Sequence, residues 1–146
     1  MSASDNFVPN DFLLTSKEIE NSLNSSNINK GSTEYAWIRS AISRAYYSAF
    51  LILRVSLIDN KKWSSFIKSG KDEHERLRKT LLSLPQQFKP VANDFNNLRK
   101  RRNHADYDLP PKFNATPNHV KQSNQEAEKI KNTLTSIESY FSLNSP

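Results

Sequence analysis

The sequence has no cysteine and only two glycines among its 146 residues. Without cysteine, structural disulfides and thiolate metal sites are excluded, and a reducing compartment such as the cytoplasm is the expected location. So few glycines argue against a sheet-rich fold with many tight turns and against a glycine-rich phosphate loop. The first ten residues lack a basic segment followed by an apolar one, so we predict no signal peptide. No run approaches the roughly 20 apolar residues that span a bilayer, so we expect no membrane association. We also expect no metal or other cofactor.

Basic residues outnumber acidic ones by 21 to 15, which gives the chain a formal charge of +6. This balance suits a polyanionic partner such as RNA, although many basic proteins have no role with nucleic acid. Four basic residues are consecutive, from Arg99 through Lys100 and Arg101 to Arg102. The run predicts either a local anion-binding patch or a solvated basic face.

Hydrophobic periodicity predicts an all-α, up-and-down bundle of about five helices in one domain over residues 1–146, with residues 1–10 and 142–146 as tails. The predicted helices lie near Ser16–Leu23, Thr33–Ile58, Asp72–Leu84, Phe88–Asn103 and Pro117–Phe141. Thr15 and Glu18 fit a capping box at the start of the first helix. The Asn- and Ser-rich stretch 24–32 reads as a loop, and 59–70 reads as a break between helices.

Arg102 is the most informative position, because it falls where the apolar stripe of the fourth helix predicts a hydrophobic residue. Val91, Phe95 and Leu98 precede it at helical spacing. A guanidinium cannot lose its proton, so on an inward face it needs anionic or carbonyl partners. Two interpretations remain open. Arg102 is either a phosphate clamp at a cleft or an arginine that pairs with a nearby aspartate or extends to solvent.

His104 is the best acid–base candidate of the three histidines, because its ordinary pKa near 6.5 suits proton transfer at neutral pH. The alternative is an exposed histidine that complements the helix dipole. His74 opens the third helix among acidic neighbours, which favours a structural or interfacial role. His119 begins the last helix without an obvious partner.

Tyr46 and Tyr47 lie midway along the second helix, near Arg39 and Arg44. Alternating aromatic and basic residues can stack on and neutralise single-stranded RNA. On a central helix, however, the sequence favours Tyr46 as a core residue whose hydroxyl bonds a polar neighbour.

Two segments together resemble the HEPN family of small prokaryotic helical proteins. The segment 39–50, RSAISRAYYSAF, is similar to the family's RAYY-containing long helix. The segment 98–108, LRKRRNHADYD, is similar to its RNxADYD segment at the end of the fourth helix. His74, in EHERL, resembles a histidine that often precedes the third helix. The resemblance covers residues 33–108.

The resemblance implies a homodimeric helical bundle in which the motif helices of two subunits face each other. Many HEPN proteins are metal-independent ribonucleases of toxin–antitoxin and antiviral defence systems, in which an Arg binds the scissile phosphate and a His moves protons. Arg102 and Asn103 match the start of that motif, but the expected histidine position falls at or just past Tyr107. Arg99 and His104 have the right spacing, yet lie about 140° apart on a straight helix. Their pairing therefore requires an unwound helix end or a second subunit.

The sequence thus supports two hypotheses. In the first, the chain is an RNA-cleaving toxin or defence effector with Arg99, Arg102 and His104 as catalytic residues. In the second, it is a non-catalytic HEPN module that binds a nucleotidyltransferase partner, a nucleotide or RNA. The predicted RNA- or phosphate-binding residues are Lys100, Arg101, Asn103 and Tyr107, and the predicted supporting residues are Arg44, Tyr47, His74 and Asp106.

Overall fold

The computed structural model describes residues 9–24, 32–59 and 73–143, and these form five α-helices joined in part by a short 3-10 turn at Gln86–Phe88. The helices are α1 (Asn10–Asn24), α2 (Ser32–Asp59), α3 (Glu73–Leu82), α4 (Lys89–Tyr107) and α5 (Pro117–Leu143). No strand occurs within the described ranges. The predicted all-helical fold with five helices is therefore confirmed.

The first helix begins more than one turn earlier than predicted. The amide of Phe12 donates to the carbonyl oxygen of Pro9 at 3.2 Å, so the first turn forms there. Leu13 is fully buried, and its burial draws this turn into the bundle. The predicted cap at Thr15 is consequently wrong, because Thr15 lies inside α1 and its hydroxyl donates to the carbonyl oxygen of Asp11 at 2.9 Å.

The fourth helix ends one turn later than predicted, at Tyr107 instead of Asn103. Ala105 is buried in the core, which holds this last turn in helical form. Asp108 adopts an extended backbone (φ −105°, ψ 132°) and stops the helix. The predicted loop at 24–32 and the predicted break at 59–70 lie almost entirely outside the described residues.

The core consists of two buried clusters, and their membership establishes the helix directions. The smaller cluster combines Ile19 late in α1, Ile38 and Ile42 early in α2, Ala105 late in α4 and Val120 early in α5. The larger cluster contains residues from the opposite ends of these helices and from α3. Helices α2 and α5 therefore run in one direction and α1 and α4 in the other. The four long helices alternate in direction along the chain, as in an up-and-down bundle, and the short α3 is inserted between α2 and α4.

A buried polar contact joins three helices beside the smaller cluster. The hydroxyl of Ser16 in α1 lies 2.6 Å from Oδ1 of Asn124 in α5 and 2.8 Å from the carbonyl oxygen of Ala41 in α2. Satisfying these polar atoms fixes the rotation of α1 against its neighbours. None of the helices in the described part of the chain is long and apolar enough to cross a bilayer.

Candidate anion-binding site at the carboxyl end of α4

Arg102 lies on the apolar side of α4, as its position in the stripe predicts, and only 14 % of its side chain is exposed. One terminal nitrogen donates to the Tyr47 hydroxyl at 2.6 Å, and the other donates to Oδ1 of Asn103 at 3.0 Å. Its Nε lies 2.8 Å from Asp106 Oδ2, an ion pair without the alignment of a hydrogen bond. Arg102 thus has an anionic partner and a hydroxyl partner within its own chain.

Aromatic rings surround the same guanidinium. Its central carbon lies 5.1 Å from the ring centre of Tyr47, 5.5 Å from that of Tyr46 and 5.7 Å from that of Tyr107. At these distances the ring quadrupoles attract a cation. Three tyrosines and one aspartate therefore stabilise a charge that the helix period places next to the core.

Tyr46 is a core residue, as favoured from the sequence. Its side chain is fully buried, and its hydroxyl is hydrogen-bonded to Nδ1 of His74. Burial raises the pKa of the Tyr46 phenol well above its ordinary value, so the group stays neutral. His74 in turn stacks on Phe50, with ring centres 4.1 Å apart. His74 therefore contacts Tyr46 both through its hydroxyl and through its ring, with 5.5 Å between the two ring centres.

A cleft of about 440 Å³ opens beside Arg102 between α2 and α4, and we call it the α2–α4 cleft. Its lining residues are Phe12, Arg39, Ser40, Ser43, Arg44, Tyr47, Ala105 and Asp106. Five of these come from one face of α2, because positions 39, 43 and 47 and positions 40, 44 and 47 follow helical steps of three and four.

Arg39 and Arg44 give the α2–α4 cleft its positive charge. Arg39 donates to the backbone carbonyl oxygen of Asp108 at 2.7 Å, and the Nε of Arg44 lies 3.2 Å from the Ser40 hydroxyl. Within the described ranges, neither guanidinium forms an ion pair with a carboxylate. The cleft's one carboxylate, Asp106, already faces Arg102. Positive charge is therefore in excess, and several N–H groups remain available to an anion.

The helix distributes the four consecutive basic residues to different sides of α4. Arg99 pairs with Glu75 of α3. Arg101 pairs with Glu126 of α5 and also donates to Ser123 at 3.1 Å. Lys100 is exposed between them. Successive residues of a helix point about 100° apart, so the run does not form one continuous patch.

Glu75 binds two arginines at once, and together they line a second groove with Lys100 and Asn103. Arg78 donates to both oxygens of the Glu75 carboxylate, and Arg99 bonds one of them. The hydrogen bonds from Arg78, and then those from Arg99, lower the pKa of Glu75 to about 2. Arg99 is thereby held on the α3 side of α4.

His104 lies on another side of α4, in a pocket of about 300 Å³ that we call the Phe113 pocket. Its lining residues are Asn97, Lys100, Arg101, His104, Phe113, His119 and Gln122. Nδ1 of His104 lies 2.6 Å from Oδ2 of Asp108. The hydrogen bond from His104, and then that from Lys112, lowers the pKa of the Asp108 carboxyl. The His104 ring is half exposed and stacks on Phe113 with 5.4 Å between ring centres.

His119 has a local partner that the sequence did not indicate. Its Nδ1 accepts a hydrogen bond from the backbone amide of Thr116 at 3.0 Å and lies 3.0 Å from the Thr116 hydroxyl. His119 is the third residue of α5, so it takes the place of the Glu or Gln of a capping box. Burial, and then the charge of Arg101, lowers the pKa of His119. The ring is therefore neutral at pH 7 and carries its proton on Nε2.

The predicted pair of Arg99 and His104 does not meet within one chain. Helix α4 continues through both residues, so the unwound helix end that would join them is not formed. Arg99 faces Glu75 in one groove, and His104 faces Asp108 and Phe113 in another. Arg102 and His104 are likewise separated, because they are two positions apart on the helix. Arg101 does share the Phe113 pocket with His104, but its guanidinium is paired with Glu126.

Three residues of these pockets were missed at the level of sequence: Ser40 and Ser43 line the α2–α4 cleft, and Phe113 lines the Phe113 pocket. Arg39 and His119 were considered from the sequence but were not among the predicted site residues. A polar stripe at four-residue spacing on an otherwise apolar helix was the available signal for Ser40 and Ser43. No comparable signal exists for Phe113, because it lies in an irregular segment after α4. Within the described ranges, no group of His, Asp and Glu side chains has the arrangement of a metal site.

Comparison of the chain with protein-family models, with curated proteins and with solved structures gave no match.

Proposed function

We propose that this chain is a HEPN-type protein that binds single-stranded RNA, with the phosphate backbone held in the α2–α4 cleft. The observation that carries the proposal is the pair Arg39 and Arg44, which line a concave surface without a carboxylate partner among the described residues. A guanidinium matches the geometry of phosphate oxygens and keeps its charge at physiological pH. The formal charge of +6 adds long-range attraction for a polyanion.

The other residues of the cleft favour RNA over a simple anion. Ser40 and Ser43 provide hydroxyl groups beside the guanidiniums, and Tyr47 provides an aromatic ring at the cleft wall. Basic side chains interleaved with aromatic ones are typical of surfaces that bind single strands. The two segments that resemble HEPN proteins, 39–50 and 98–108, supply every lining residue except Phe12.

Arg102 has a positioning role in this proposal. Its guanidinium is already bonded to Tyr47 and Asn103 and paired with Asp106. It holds the Tyr47 hydroxyl and the Asp106 carboxylate at the edge of the cleft and neutralises that carboxylate. The phosphate contacts belong to Arg39 and Arg44.

Fluorescence anisotropy with a labelled single-stranded RNA tests the proposal. The test variant is Arg39→Gln with Arg44→Gln. We expect its affinity to fall about tenfold or more, because two charge-assisted contacts to phosphate are lost. The matched control is Lys79→Gln with Lys129→Gln, which removes the same charge from exposed positions outside the α2–α4 cleft.

The control variant should lose no more than about threefold in affinity, the share expected from net charge alone. Thermal unfolding of both variants establishes that they fold. Equal losses in the two variants, or no RNA binding by the wild-type chain at low salt, would overturn the proposal.

Metal-independent cleavage of RNA is a second candidate function, and the geometry of His104 favours it. Asp108 accepts a hydrogen bond from Nδ1 of His104, which leaves Nε2 of a half-exposed imidazole as a base. The arginine of the run that shares the Phe113 pocket with His104 is Arg101, and its guanidinium is held by Glu126 and Ser123. Cleavage therefore requires a homodimer in which a second copy supplies an arginine to this base.

Incubation with total RNA in EDTA tests this second function. Wild-type protein should produce fragments, whereas His104→Gln and the double variant Arg102→Ala with His104→Ala should not. Sedimentation should give the mass of two chains. Equal cleavage by all three proteins, or none by any of them, would leave RNA binding as the remaining function.

A further inference from the structure

The Phe113 pocket adjoins the α2–α4 cleft, and Asp108 connects them. Arg39, in the cleft, donates to the backbone carbonyl oxygen of Asp108 at 2.7 Å, while His104, in the pocket, bonds the Asp108 carboxylate at 2.6 Å. Both depressions therefore lie at the same end of the bundle, on either side of the point where α4 ends. A short strand of nucleic acid that lies in one can reach the other.

We infer that the Phe113 pocket receives one unpaired base of the RNA strand whose phosphates lie in the α2–α4 cleft. The inference rests on the proposed function and adds a separate base-binding site to it. Three rings form part of the pocket's wall: Phe113 stacks on His104 with 5.4 Å between ring centres, and the His119 ring is tilted by 40° to Phe113 with 5.0 Å between centres. Such surfaces hold bases by stacking, which is tolerant of sequence.

The charges around these rings suit a neutral, flat group better than a phosphate. Arg101 is neutralised by Glu126, and His104 is paired with Asp108. His119 is neutral at pH 7, because burial and Arg101 lower its pKa. Lys100 is the one exposed cation of the lining. It can accompany the phosphate attached to the bound base.

Hydrogen-bonding groups at the pocket suit the edge of a base. Asn97 and Gln122 are exposed, and each amide offers both donors and an acceptor. The Nδ1 of His119 is occupied by the backbone of Thr116, so its Nε2–H is a donor of fixed orientation. Stacking rings with amide groups beside them is the combination that reads unpaired bases in RNA.

Two probes of equal charge test the inference: a short oligouridylate, and a ribose–phosphate chain of the same length that carries no bases. The wild-type chain should bind oligouridylate roughly tenfold more tightly than the base-free chain, because stacking of one base contributes about 1–3 kcal/mol. In Phe113→Leu this ratio should fall close to one, while affinity for the base-free chain stays unchanged. Leucine preserves the apolar contact of Phe113 with the buried cluster.

Three further proteins complete the experiment. His119→Gln keeps a side-chain acceptor for the Thr116 amide but removes a ring, so the affinity ratio of oligouridylate to the base-free chain should fall in part. This variant replaces Phe113→Leu as the test if Phe113→Leu does not fold. Tyr35→Leu removes an exposed aromatic residue of α2 outside the pocket and should leave the ratio unchanged. Arg39→Gln with Arg44→Gln should weaken both probes equally.

The outcomes separate the two proposals. If neither probe binds the wild-type chain, the proposed RNA-binding function fails. If both probes bind but the ratio in Phe113→Leu and His119→Gln equals that of the wild type, RNA binding stands and the base-binding site is wrong.

Discussion

At the scale of single residues, Arg102 illustrates how a permanent cation is accommodated on the apolar side of a helix. Its charge is balanced by Asp106, its N–H groups bond Tyr47 and Asn103, and tyrosine rings cover its faces. Removing one partner of such a group leaves a polar atom unsatisfied, which costs more than the hydrogen bond contributes.

Tyr47→Phe should therefore lower the free energy of unfolding by about 1–2 kcal/mol, because a terminal nitrogen of Arg102 loses its acceptor while the ring stays in place. Urea unfolding monitored by circular dichroism measures the change. Tyr35→Phe is the control, since Tyr35 is partly exposed and lies outside the Arg102 cluster. Similar effects of the two substitutions would show that the Tyr47 hydroxyl does not stabilise Arg102.

The lowered pKa of Glu75 predicts that the free energy of unfolding decreases in acid. Hydrogen bonds from Arg78 and Arg99 lower its pKa from 4.5 to about 2, so the folded chain binds this proton less readily than the unfolded chain does. The stabilisation from Glu75 is complete above the unfolded pKa and disappears as the pH falls towards 2. Between pH 6 and pH 3 the wild type should lose about 2 kcal/mol more than Glu75→Gln.

Urea titrations of both proteins at the two pH values measure this difference. Parallel losses of stability in the wild type and in Glu75→Gln would show that the two arginines do not hold the carboxylate in solution.

At the scale of helices, the caps decide where the site residues point. Helix α5 begins at Pro117 after Thr116, as the sequence predicts, but its capping box is completed by His119. Helix α4 ends only at Tyr107, which keeps Arg102 and His104 on separate faces. A helix that ended at Asn103, as predicted, would have left His104 in a loop.

The capping role of His119 predicts unequal effects of two substitutions. His119→Ala should lower the free energy of unfolding by about 1 kcal/mol, because the Thr116 amide loses its acceptor. His119→Gln should cost much less, since glutamine is a normal residue at this position of a capping box. Thermal and urea unfolding compare the two variants. Equal destabilisation would mean that the ring, and not the acceptor, is what stabilises the start of α5.

At the scale of the whole molecule, basic residues surround the carboxyl half of α4, but intramolecular ion pairs neutralise some of them and not others. Arg99 and Arg101 are each paired with a glutamate of a neighbouring helix. The consecutive run that stands out in the sequence is therefore largely neutralised, whereas Arg39 and Arg44 of α2 have no carboxylate partner in the part of the chain that the structure describes. Which basic groups can contact a ligand depends on this distribution more than on the net charge of the chain.

This distribution predicts the salt dependence of RNA binding. Each phosphate contact to a single strand contributes about 0.7 to the slope of log affinity against log salt concentration. In Arg39→Gln with Arg44→Gln the slope should become shallower by about 1.4. In the charge-matched variant Lys79→Gln with Lys129→Gln the slope should be nearly that of the wild type. Anisotropy titrations over a range of potassium chloride concentrations supply the slopes, and identical slopes in all three proteins would contradict direct contact by the two arginines.

The sequence by itself determined the helical class, the approximate positions of the five helices and the placement of Arg102 on the apolar side of α4. These features depend on residues three or four positions apart, which the geometry of a helix places on the same face. The bounds of α1 and α4 differed because buried residues, Leu13 and Ala105, extend those helices beyond their local end signals.

Only the tertiary structure decided which basic groups are paired and which remain available. Arg99 meets Glu75, and Arg101 meets Glu126, across more than twenty positions of sequence. Arg39 likewise reaches Asp108, which lies 69 positions away in the sequence. Ion pairing acts over a few ångströms and depends on which helices become neighbours, and no local pattern in a single sequence contains that information.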